Sequence, residues 1–375
     1  PSPPCTHNTH TRASPARARL PVPKPESRST PTGTGGGRPR PGCVRGAGPL
    51  LGLVVTWVLF ALLAGGTFTS WSNQEFMLLQ TAVVGTAAVG ATWIIVSGGI
   101  DLSVGANIAL SAMVGSMVMR DGHGFWLAAL ATVLTGCVVG WLIGALVVGA
   151  LVRVLLAAGA AWLVIWLTLG MGSLWSLLLG VLVGLGVWLA SARLKQSLPL
   201  SPFIVTLGLW GALRGIAKGL GDNQPIYFEA DDTLSALMLP EGILPPGVWV
   251  LLVVAIVASL LLRRSVFGRH VVALGSSRET ARLCGIDLPK TELRVYVLGC
   301  ACAGIAAVMQ LSYLSMGDPT TGQGYELKAI AAAVIGGASL AGGEGAIFGT
   351  LLGALIMTVV DNGCTKVGLD NWVQE

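Results

Sequence analysis

The chain has 375 residues, of which 53% are hydrophobic and 11% are charged, with a net charge of +5. A soluble domain has about 25% charged residues, so this composition excludes an ordinary soluble enzyme or binding module. The 52 glycines are typical of membrane-spanning helices that pack closely. Positive charge is concentrated in residues 1–48 and 263–294 rather than spread over one basic face, which argues against nucleic-acid binding.

Residues 1–48 are rich in Pro, Arg, Ser, Thr and Gly, with eight Lys or Arg and one acidic residue. This composition buries too little apolar surface to fold, and it predicts a disordered basic tail. Because the chain begins with Pro and its first methionine is Met77, we expect a misassigned start or a fragment. Residues 49–375 are predicted to form one membrane domain.

From residue 50 onwards, apolar segments of about membrane-spanning length follow one another closely. The longest, 154–190, is predicted to form two helices that turn near Gly170–Ser173. Three segments are short or interrupted by glycine, which predicts either re-entrant, discontinuous helices or short ordinary spans. These three are 102–119, 203–220 and 327–341. We therefore expect an all-α polytopic membrane protein with about ten transmembrane or re-entrant helices. The segments are 50–68, 76–97, 102–119, 125–151, 154–190, 203–220, 246–262, 293–314, 327–341 and 345–362.

Asp101 lies between two apolar segments, in the sequence GGIDLSVG. A charge within hydrocarbon costs about 2.5–3.5 kcal/mol, so this side chain should face protein or water. We expect it to cap the following helix, and a role in a solute path is compatible with that position. Uncharged polar residues within apolar segments predict either hydrogen bonds between helices or a distributed polar path. They are Asn107, Ser111, Thr206, Gln310 and Asn362.

Two neighbouring loops indicate the orientation of the chain in the membrane. Residues 221–245 hold five acidic residues and no Lys or Arg, whereas 263–294 hold seven Lys or Arg and three acidic residues. Because basic loops remain in the cytoplasm, 263–294 is predicted to be cytoplasmic and 221–245 extracytoplasmic.

Capping signals within the basic loop predict a short helix between two spans. Ser276 and Ser277 suit its N-cap and Gly285 suits a left-handed C-cap, so residues 278–284 should form it. Pro289 then fits the first turn of the next helix. The exposed charges of the short helix predict a docking surface for a cytoplasmic partner, with an ordinary connection as the alternative. These charges belong to Arg278, Glu279 and Arg282.

Glu326 also precedes an apolar segment, and it should lie on the extracytoplasmic side. It is predicted either to cap that segment after a glycine-rich turn or to face an outer gate or a binding protein. The sequence GGASLAGGEGAIFGT weakly resembles GGIDLSVGANIAL, which suggests an internal duplication.

The order Glu279-Thr280-Ala281, then Gly285-Ile286, resembles the cytoplasmic coupling motif of ATP-binding-cassette (ABC) importer permeases. Further stretches resemble the ribose/xylose-type sugar permease family, within the branched-chain-type permease superfamily. The similarity covers roughly residues 50–375 in the family's order. The stretches are SGGIDLSVGANIALSAMVG (97–115), SPFIVTLGLWGALRG (201–215), FGRHVVALGSSRETARLCGI (267–286), GYELKAIAAAVIGGASLAGGEGAIFGTLLGALI (324–356) and DNGCTKVGLDNWVQE (361–375).

The resemblance implies the membrane-spanning subunit of a bacterial sugar importer in the inner (cytoplasmic) membrane, without enzymatic activity. It implies three partners besides membrane lipid: an ABC ATPase subunit, a periplasmic or extracellular sugar-binding protein, and a second permease chain. No cofactor is expected on the chain itself, because ATP and magnesium would be used by the ATPase. The residues expected to couple to the ATPase are Ser277, Arg278, Glu279, Thr280, Ala281, Arg282, Gly285 and Ile286. Those expected on the substrate path are Asp101, Asn107, Thr206, Gln310, Glu326 and Asn362.

Members of the family continue into one more helix after a WVQE-like sequence, so the final helix is expected to be missing here. No P-loop, GxSxG or HExxH motif is present, so ATP hydrolysis by this chain is not expected. Two alternatives stay open. One is a secondary transporter driven by an ion gradient, and the other is a membrane scaffold without a path. In the first, acidic residues would carry the ions, and these are Asp101, Glu326, Glu344 and Asp361.

Overall fold

A computed structural model describes residues 47–168, 173–193, 200–229, 231–239 and 244–369. The predicted tail lies outside the described residues except for its last two positions, and so does most of the predicted turn at 170–173. The described part of the chain is almost entirely helical, with one small two-stranded sheet. Its helices are α1 (Ala47–Ala64), α2 (Gly66–Thr69), α3 (Trp71–Val96), α4 (Val104–Arg120), α5 (Phe125–Val147), α6 (Val152–Thr168), α7 (Ser173–Arg193), α8 (Pro202–Leu220), α9 (Asp232–Met238), α10 (Pro246–Arg264), α11 (Val266–Ser276), α12 (Arg278–Leu283), α13 (Leu288–Leu314), α14 (Tyr325–Ile335) and α15 (Ile347–Val367).

Six helices of the described chain are long and apolar enough to cross a membrane: α3, α5, α8, α10, α13 and α15. Shorter apolar helices surround them, so the predicted all-α polytopic membrane fold is confirmed. Of the two alternatives for 203–220, the structure has the ordinary span, because α8 runs without interruption for 19 residues. By contrast, α4 and α14 are short, with 17 and 11 residues.

The long apolar stretch 154–190 forms two helices, α6 and α7, as predicted. They pack against each other through small residues. A Cβ atom at Gly184 would lie 3.0 Å from the Cβ of Ala161, and one at Gly180 would lie 2.9 Å from the Ala161 carbonyl oxygen. Both contacts are tighter than usual, so these glycines allow the close approach of the two helices.

The core is organised around α13, a continuous helix of 27 residues that packs against α3, α4 and α5. Glycines on the neighbouring helices allow this packing. A Cβ atom at Gly136 of α5 would lie 2.6 Å from the Cys300 carbonyl oxygen, and one at Gly140 would lie 2.5 Å from the Tyr296 carbonyl oxygen. The backbones of α5 and α13 are therefore in direct contact, as is typical of membrane helix pairs.

The two short helices α4 and α14 begin inside the bundle, at neighbouring points. Gly105 in the first turn of α4 packs so closely on Gly322 and Glu326 that a side chain at Gly105 would overlap both. Asn107 on the next turn donates to the Cys300 carbonyl oxygen at 3.4 Å, near the middle of α13. Both helices therefore begin near the midpoint of the longest span, which favours re-entrant or discontinuous helices over ordinary short spans for these two segments.

The two ends of the bundle are defined by short elements. Strands β1 (Ile226–Tyr227) and β2 (Met316–Gly317) pair at one end, which we call the outer end. The opposite end carries α11 and α12, and we call it the coupling end. There the Val96 carbonyl oxygen of α3 accepts a hydrogen bond from Gly343 N at 2.8 Å, and Gly343 packs on Ser276 of α11. The acidic loop and the loop before α14 thus share the outer end, as expected.

Candidate functional site

The short helix predicted in the basic loop is present as α12. Ser277 is its N-cap, and its hydroxyl accepts a hydrogen bond from Thr280 N at 3.3 Å. Gly285 follows the helix with φ +80°, in the left-handed conformation that glycine adopts without strain. Ile286 N then donates to the Ala281 carbonyl oxygen at 3.1 Å, which closes the turn. The chain next enters α13, with Pro289 in its first turn.

The predicted coupling residues divide into a buried set and an exposed set. Ala281 points inward and is 2% exposed, whereas the other side chains of α12 face outward. Leu283 was not among the predicted residues, yet it is 84% exposed. Single exposed apolar side chains are common on protein surfaces, so this exposure shows that Leu283 is available for contact with a partner. Its position next to the helix C-terminus was the only signal in the sequence.

Arg278 was expected to be available for a partner's charges, but it is bound within the chain. Its Nη1 and Nη2 atoms donate to the two carboxylate oxygens of Glu292 on α13, at 3.1 and 2.7 Å. The hydrogen bonds to Glu292 raise the pKa of Arg278 above its usual value. Because the Glu292 side chain is only 6% exposed, it needs a cationic partner. Arg278 therefore fixes α12 on α13, and Glu279 and Arg282 remain for a partner.

Asp101 does not cap α4 directly, because the N-cap residue of that helix is Ser103. The Asp101 carboxylate instead accepts hydrogen bonds from the N–H and the hydroxyl of Ser103, at 2.8 and 2.6 Å. Its second oxygen accepts from the Cys300 thiol at 3.5 Å. Asp101 is 2% exposed, so it stabilises the turn that enters α4. The prediction of a direct helix cap is corrected to a cap of the preceding turn.

Two other predicted path residues also make internal hydrogen bonds in this region. Asn107 bonds to α13 and accepts from Ser111 at 3.2 Å, while the Thr206 hydroxyl donates to the Pro202 carbonyl oxygen at 2.9 Å. Thr206 and Asn107 are fully buried. The sequence predicted either hydrogen bonds between helices or a polar path for these residues. The hydrogen bond of Asn107 to α13 agrees with the first alternative, and that of Thr206 lies within α8.

Glu326 lies in the first turn of α14, where a negative charge is favourable. Its Oε2 atom is buried and has no hydrogen-bond partner among the described residues. Arg214 of α8 holds the segment before α14 in place, donating to the carbonyl oxygens of Pro319 and Thr321 at 3.0 and 2.6 Å. Glu326 lies in the first helical turn without a capping hydrogen bond from its side chain, and Arg214 is a residue that the sequence did not single out.

A cavity of about 970 Å³ extends inward from the outer end, along the first turns of α3 and the last turns of α15 to the start of α14. Asn362, a predicted path residue, lines it and forms a reciprocal amide pair with Asn73, at 2.8 and 3.0 Å. Lys328 and Asp361 line it as an ion pair. Gln310 lies apart, in a small pocket with Gln80 and Tyr325. The six predicted path residues are therefore not brought together in one place.

Comparison with known proteins gives the family. A family described as "Branched-chain amino acid transport system / permease component" matches residues 146–374. The chain belongs to this permease family. It is 33% identical over 332 residues to the ribose import permease protein RbsC of Escherichia coli K12, with 87% of each chain covered.

Other relatives of this permease are also named as sugar permeases. The xylose transport system permease protein XylH of Haemophilus influenzae is 31% identical over 344 residues, covering 87% of this chain and 90% of the relative. The D-allose transport system permease protein AlsC of E. coli is 30% identical over 322 residues, covering 86% and 84%. No solved structure matches the chain. The resemblance to the ribose/xylose-type family is confirmed, and the chain is a multi-pass protein of the bacterial cytoplasmic membrane.

Proposed function

We propose that this chain carries a monosaccharide across the membrane, driven by an ABC ATPase that docks on α12. The observation that carries the proposal is the combination of sugar-permease relatives with an exposed, rigidly fixed helix at the coupling end. Because another subunit hydrolyses ATP in this scheme, the conformational change that drives transport must reach this chain through contacts with α12. The substrate would be delivered at the outer end by a sugar-binding protein.

The surface of α12 supports docking on a partner. Glu279 and Arg282 offer one charge of each sign, and Leu283 offers an apolar side chain between them and the C-cap. Burial of one leucine side chain stabilises an interface by about 1.5–3 kcal/mol. Exposed charges add mainly specificity and association rate. Leu283 is therefore expected to supply more of the affinity than either charge.

A second permease chain is part of the proposed assembly, and α8 is the helix that best supports this contact. Four of its glycines lie on one face, and a Cβ atom at any of them would meet nothing within 4 Å. Glycines spaced three or four residues apart let two helices approach closely in a membrane. These glycines are Gly208, Gly211, Gly215 and Gly219.

Two of the four acidic residues that the gradient-driven alternative requires are already bound within the chain. Asp361 is paired with Lys328, and Asp101 is bound to Ser103 and Cys300. An ion-carrying carboxylate must exchange its ion during transport, and these two carboxylates are already occupied. No specific observation favours the scaffold alternative.

The test is uptake in cells that express the chain together with the ABC ATPase and sugar-binding protein of its own genome. Radiolabelled D-ribose, D-xylose, D-allose and D-fructose are offered separately. We expect uptake of at least one sugar, lost on ATP depletion and retained with an uncoupler of the proton gradient. Uptake that an uncoupler abolishes and ATP depletion spares would overturn the proposal in favour of the gradient-driven alternative.

The docking part of the proposal is tested with Leu283→Asp, and Leu283→Met serves as the matched control. The aspartate variant should bind the ATPase about 10- to 100-fold more weakly, which corresponds to the loss of one buried leucine. The methionine variant should retain binding, because it keeps a large apolar side chain. Copurification of the ATPase gives the readout. Equal copurification with both variants would contradict docking through α12.

A further inference from the structure

The cavity at the outer end is large, and most of the residues that line it are polar. Its volume of about 970 Å³ is at the upper end of the range of small-molecule pockets, roughly 300–1,000 Å³. Ten of its fifteen lining residues are polar, although two of its walls are apolar helices. Polar side chains within membrane helices face protein or a water-filled cavity. The polar lining therefore marks a space that water or a polar solute enters.

Lys328 of α14 and Asp361 of α15 form an ion pair on the cavity wall, 33 residues apart in sequence. Their side chains are 33% and 31% exposed, so both charged groups remain accessible from the cavity. The ammonium group also lies 6.0 Å from the centre of the Tyr325 ring. A pair that is accessible in this way presents donors and acceptors while carrying no net charge.

Amide side chains surround the ion pair. Asn73 and Asn362 bond to each other, and Asn73 also donates to the Phe68 carbonyl oxygen at 2.9 Å, which fixes that pair. Gln80 and Gln323 line the same cavity, and their side chains make no hydrogen bond to any described residue. Their amide groups each offer two donors and one acceptor oxygen to a solute. A wall of this kind matches the hydroxyl groups of a sugar.

We propose that this cavity binds the transported solute, and that Lys328, Asp361, Gln80 and Gln323 select a neutral polyhydroxylated molecule. The proposal deepens the proposed function and rests on it. Phe76 lines the cavity as well and is 38% exposed, so it offers a ring against which the C–H face of a sugar packs. The alternative solute is a branched-chain amino acid. Its charged groups would pair with Lys328 and Asp361 and so separate these two side chains from each other.

The experiment measures uptake kinetics for Lys328→Gln and Asp361→Asn, using whichever of D-ribose, D-xylose, D-allose and D-fructose the wild-type assembly takes up. Each variant removes one charged hydrogen-bonding group, and we expect the KM to rise about tenfold with little change in maximal rate. Lys218→Gln is the matched control, because it removes a lysine from the last turn of α8, away from the cavity. Its KM should not change.

The charge-swapped double variant Lys328→Asp, Asp361→Lys covers the case in which single variants fail to fold. The swap keeps an ion pair, so it should insert in the membrane, yet it moves donors and acceptors and should raise the KM. An unchanged KM in the swapped variant and in both single variants would overturn the inference. Uptake of L-leucine but of none of the four sugars would overturn both the inference and the proposed function.

Access to the cavity has its own test, which does not depend on transport. Ala331→Cys places a thiol on the lining, and a membrane-impermeant maleimide is added from the outer side. We expect labelling above the wild-type background, reduced by the transported sugar. A thiol that stays unlabelled would mean that protein or lipid fills the cavity, and the solute site would then be wrong even if sugar uptake is intact.

Discussion

Arg278 and Glu292 join the short coupling-end helix α12 to the long helix α13 through two parallel hydrogen bonds. Glu292→Ala leaves Arg278 without its partner, and Arg278→Ala leaves a buried carboxylate. Because Arg278 is half exposed, we expect each change to destabilise this contact by only about 1–2 kcal/mol. Transport should fall several-fold while ATPase binding persists. The measurement is sugar uptake together with ATPase copurification.

Arg278→Lys is the informative control for that prediction. Lysine keeps the positive charge but lacks the planar fork that binds both carboxylate oxygens. Uptake should therefore be intermediate between the wild type and Arg278→Ala. Full activity in Glu292→Ala, Arg278→Ala and Arg278→Lys would show that this contact between α12 and α13 does not transmit the conformational change.

Gly285 ends α12 with φ +80°, and a Cβ atom there would meet nothing within 4 Å. Any effect of substitution therefore arises from backbone strain and not from a clash. Gly285→Val should strain the turn by about 1–2 kcal/mol and reduce coupled transport without preventing membrane insertion. Gly285→Asn should be tolerated, because asparagine adopts left-handed conformations more readily. ATP-dependent uptake at the wild-type rate in the valine variant would show that coupled transport does not require glycine at this helix end.

Gly105 has no room for a side chain, because Gly322 and Glu326 contact it directly. Gly105→Ala should destabilise the junction of α4 and α14 by about 1–3 kcal/mol, the usual cost of overpacking. Gly186→Ala on α7 is the matched control, since its Cβ would meet nothing within 4 Å. The control should be neutral or slightly stabilising, because alanine favours helix more than glycine. Thermal unfolding of the purified proteins in detergent provides the comparison.

Asp287 is the N-cap of α13, accepting a hydrogen bond from Lys290 N and pairing with the Lys290 ammonium at 2.7 Å. Its hydrogen bonds with Lys290 lower the pKa of Asp287 below its usual value. The carboxylate therefore stabilises the fold at pH values above about 3.9, and this contribution is lost as the pH falls through the lowered pKa.

Asp287→Ala should accordingly lower the melting temperature at pH 7, and the difference from the wild type should shrink below about pH 4. Melting curves of both proteins across this pH range test the prediction. If the difference in melting temperature stays constant at all pH values, the hydrogen bond of the helix cap explains the effect and the charge of Asp287 does not contribute.

The sequence was sufficient to predict the long apolar helices and the short helix α12, because apolar length and capping residues are local signals. The prediction succeeded for α12, where Ser277 and Gly285 are read directly from the chain. It left α8 open between a broken helix and an ordinary span, because the glycines that suggested a break lie on an open face and leave the helical hydrogen bonds intact. Glycine weakens a helix only modestly when packing or lipid surrounds it.

The contacts that define the candidate sites could not be read in this way. Arg278 was interpreted as free to pair with a partner's charges, because Glu292, which binds it, lies 14 residues away on another helix. Asn73 and Asn362 are 289 residues apart, so only the folded chain brings them together. Contacts between distant residues depend on which helices pack against each other. The hydropathy of a segment does not indicate which other segment it packs against.

The uninterrupted length of α13 has a consequence for how the two faces of the membrane communicate. Its first turns are tied to α12 by Glu292, and near its far end the Ser312 hydroxyl donates to the Leu234 carbonyl oxygen of α9. The middle of this continuous helix packs closely on α4 and α5, so α13 would tilt as one piece about that point, and a displacement at one end would appear at the other in the opposite direction. Such a tilt would widen one end of the bundle as it narrows the other, so the two ends would not be open at the same time.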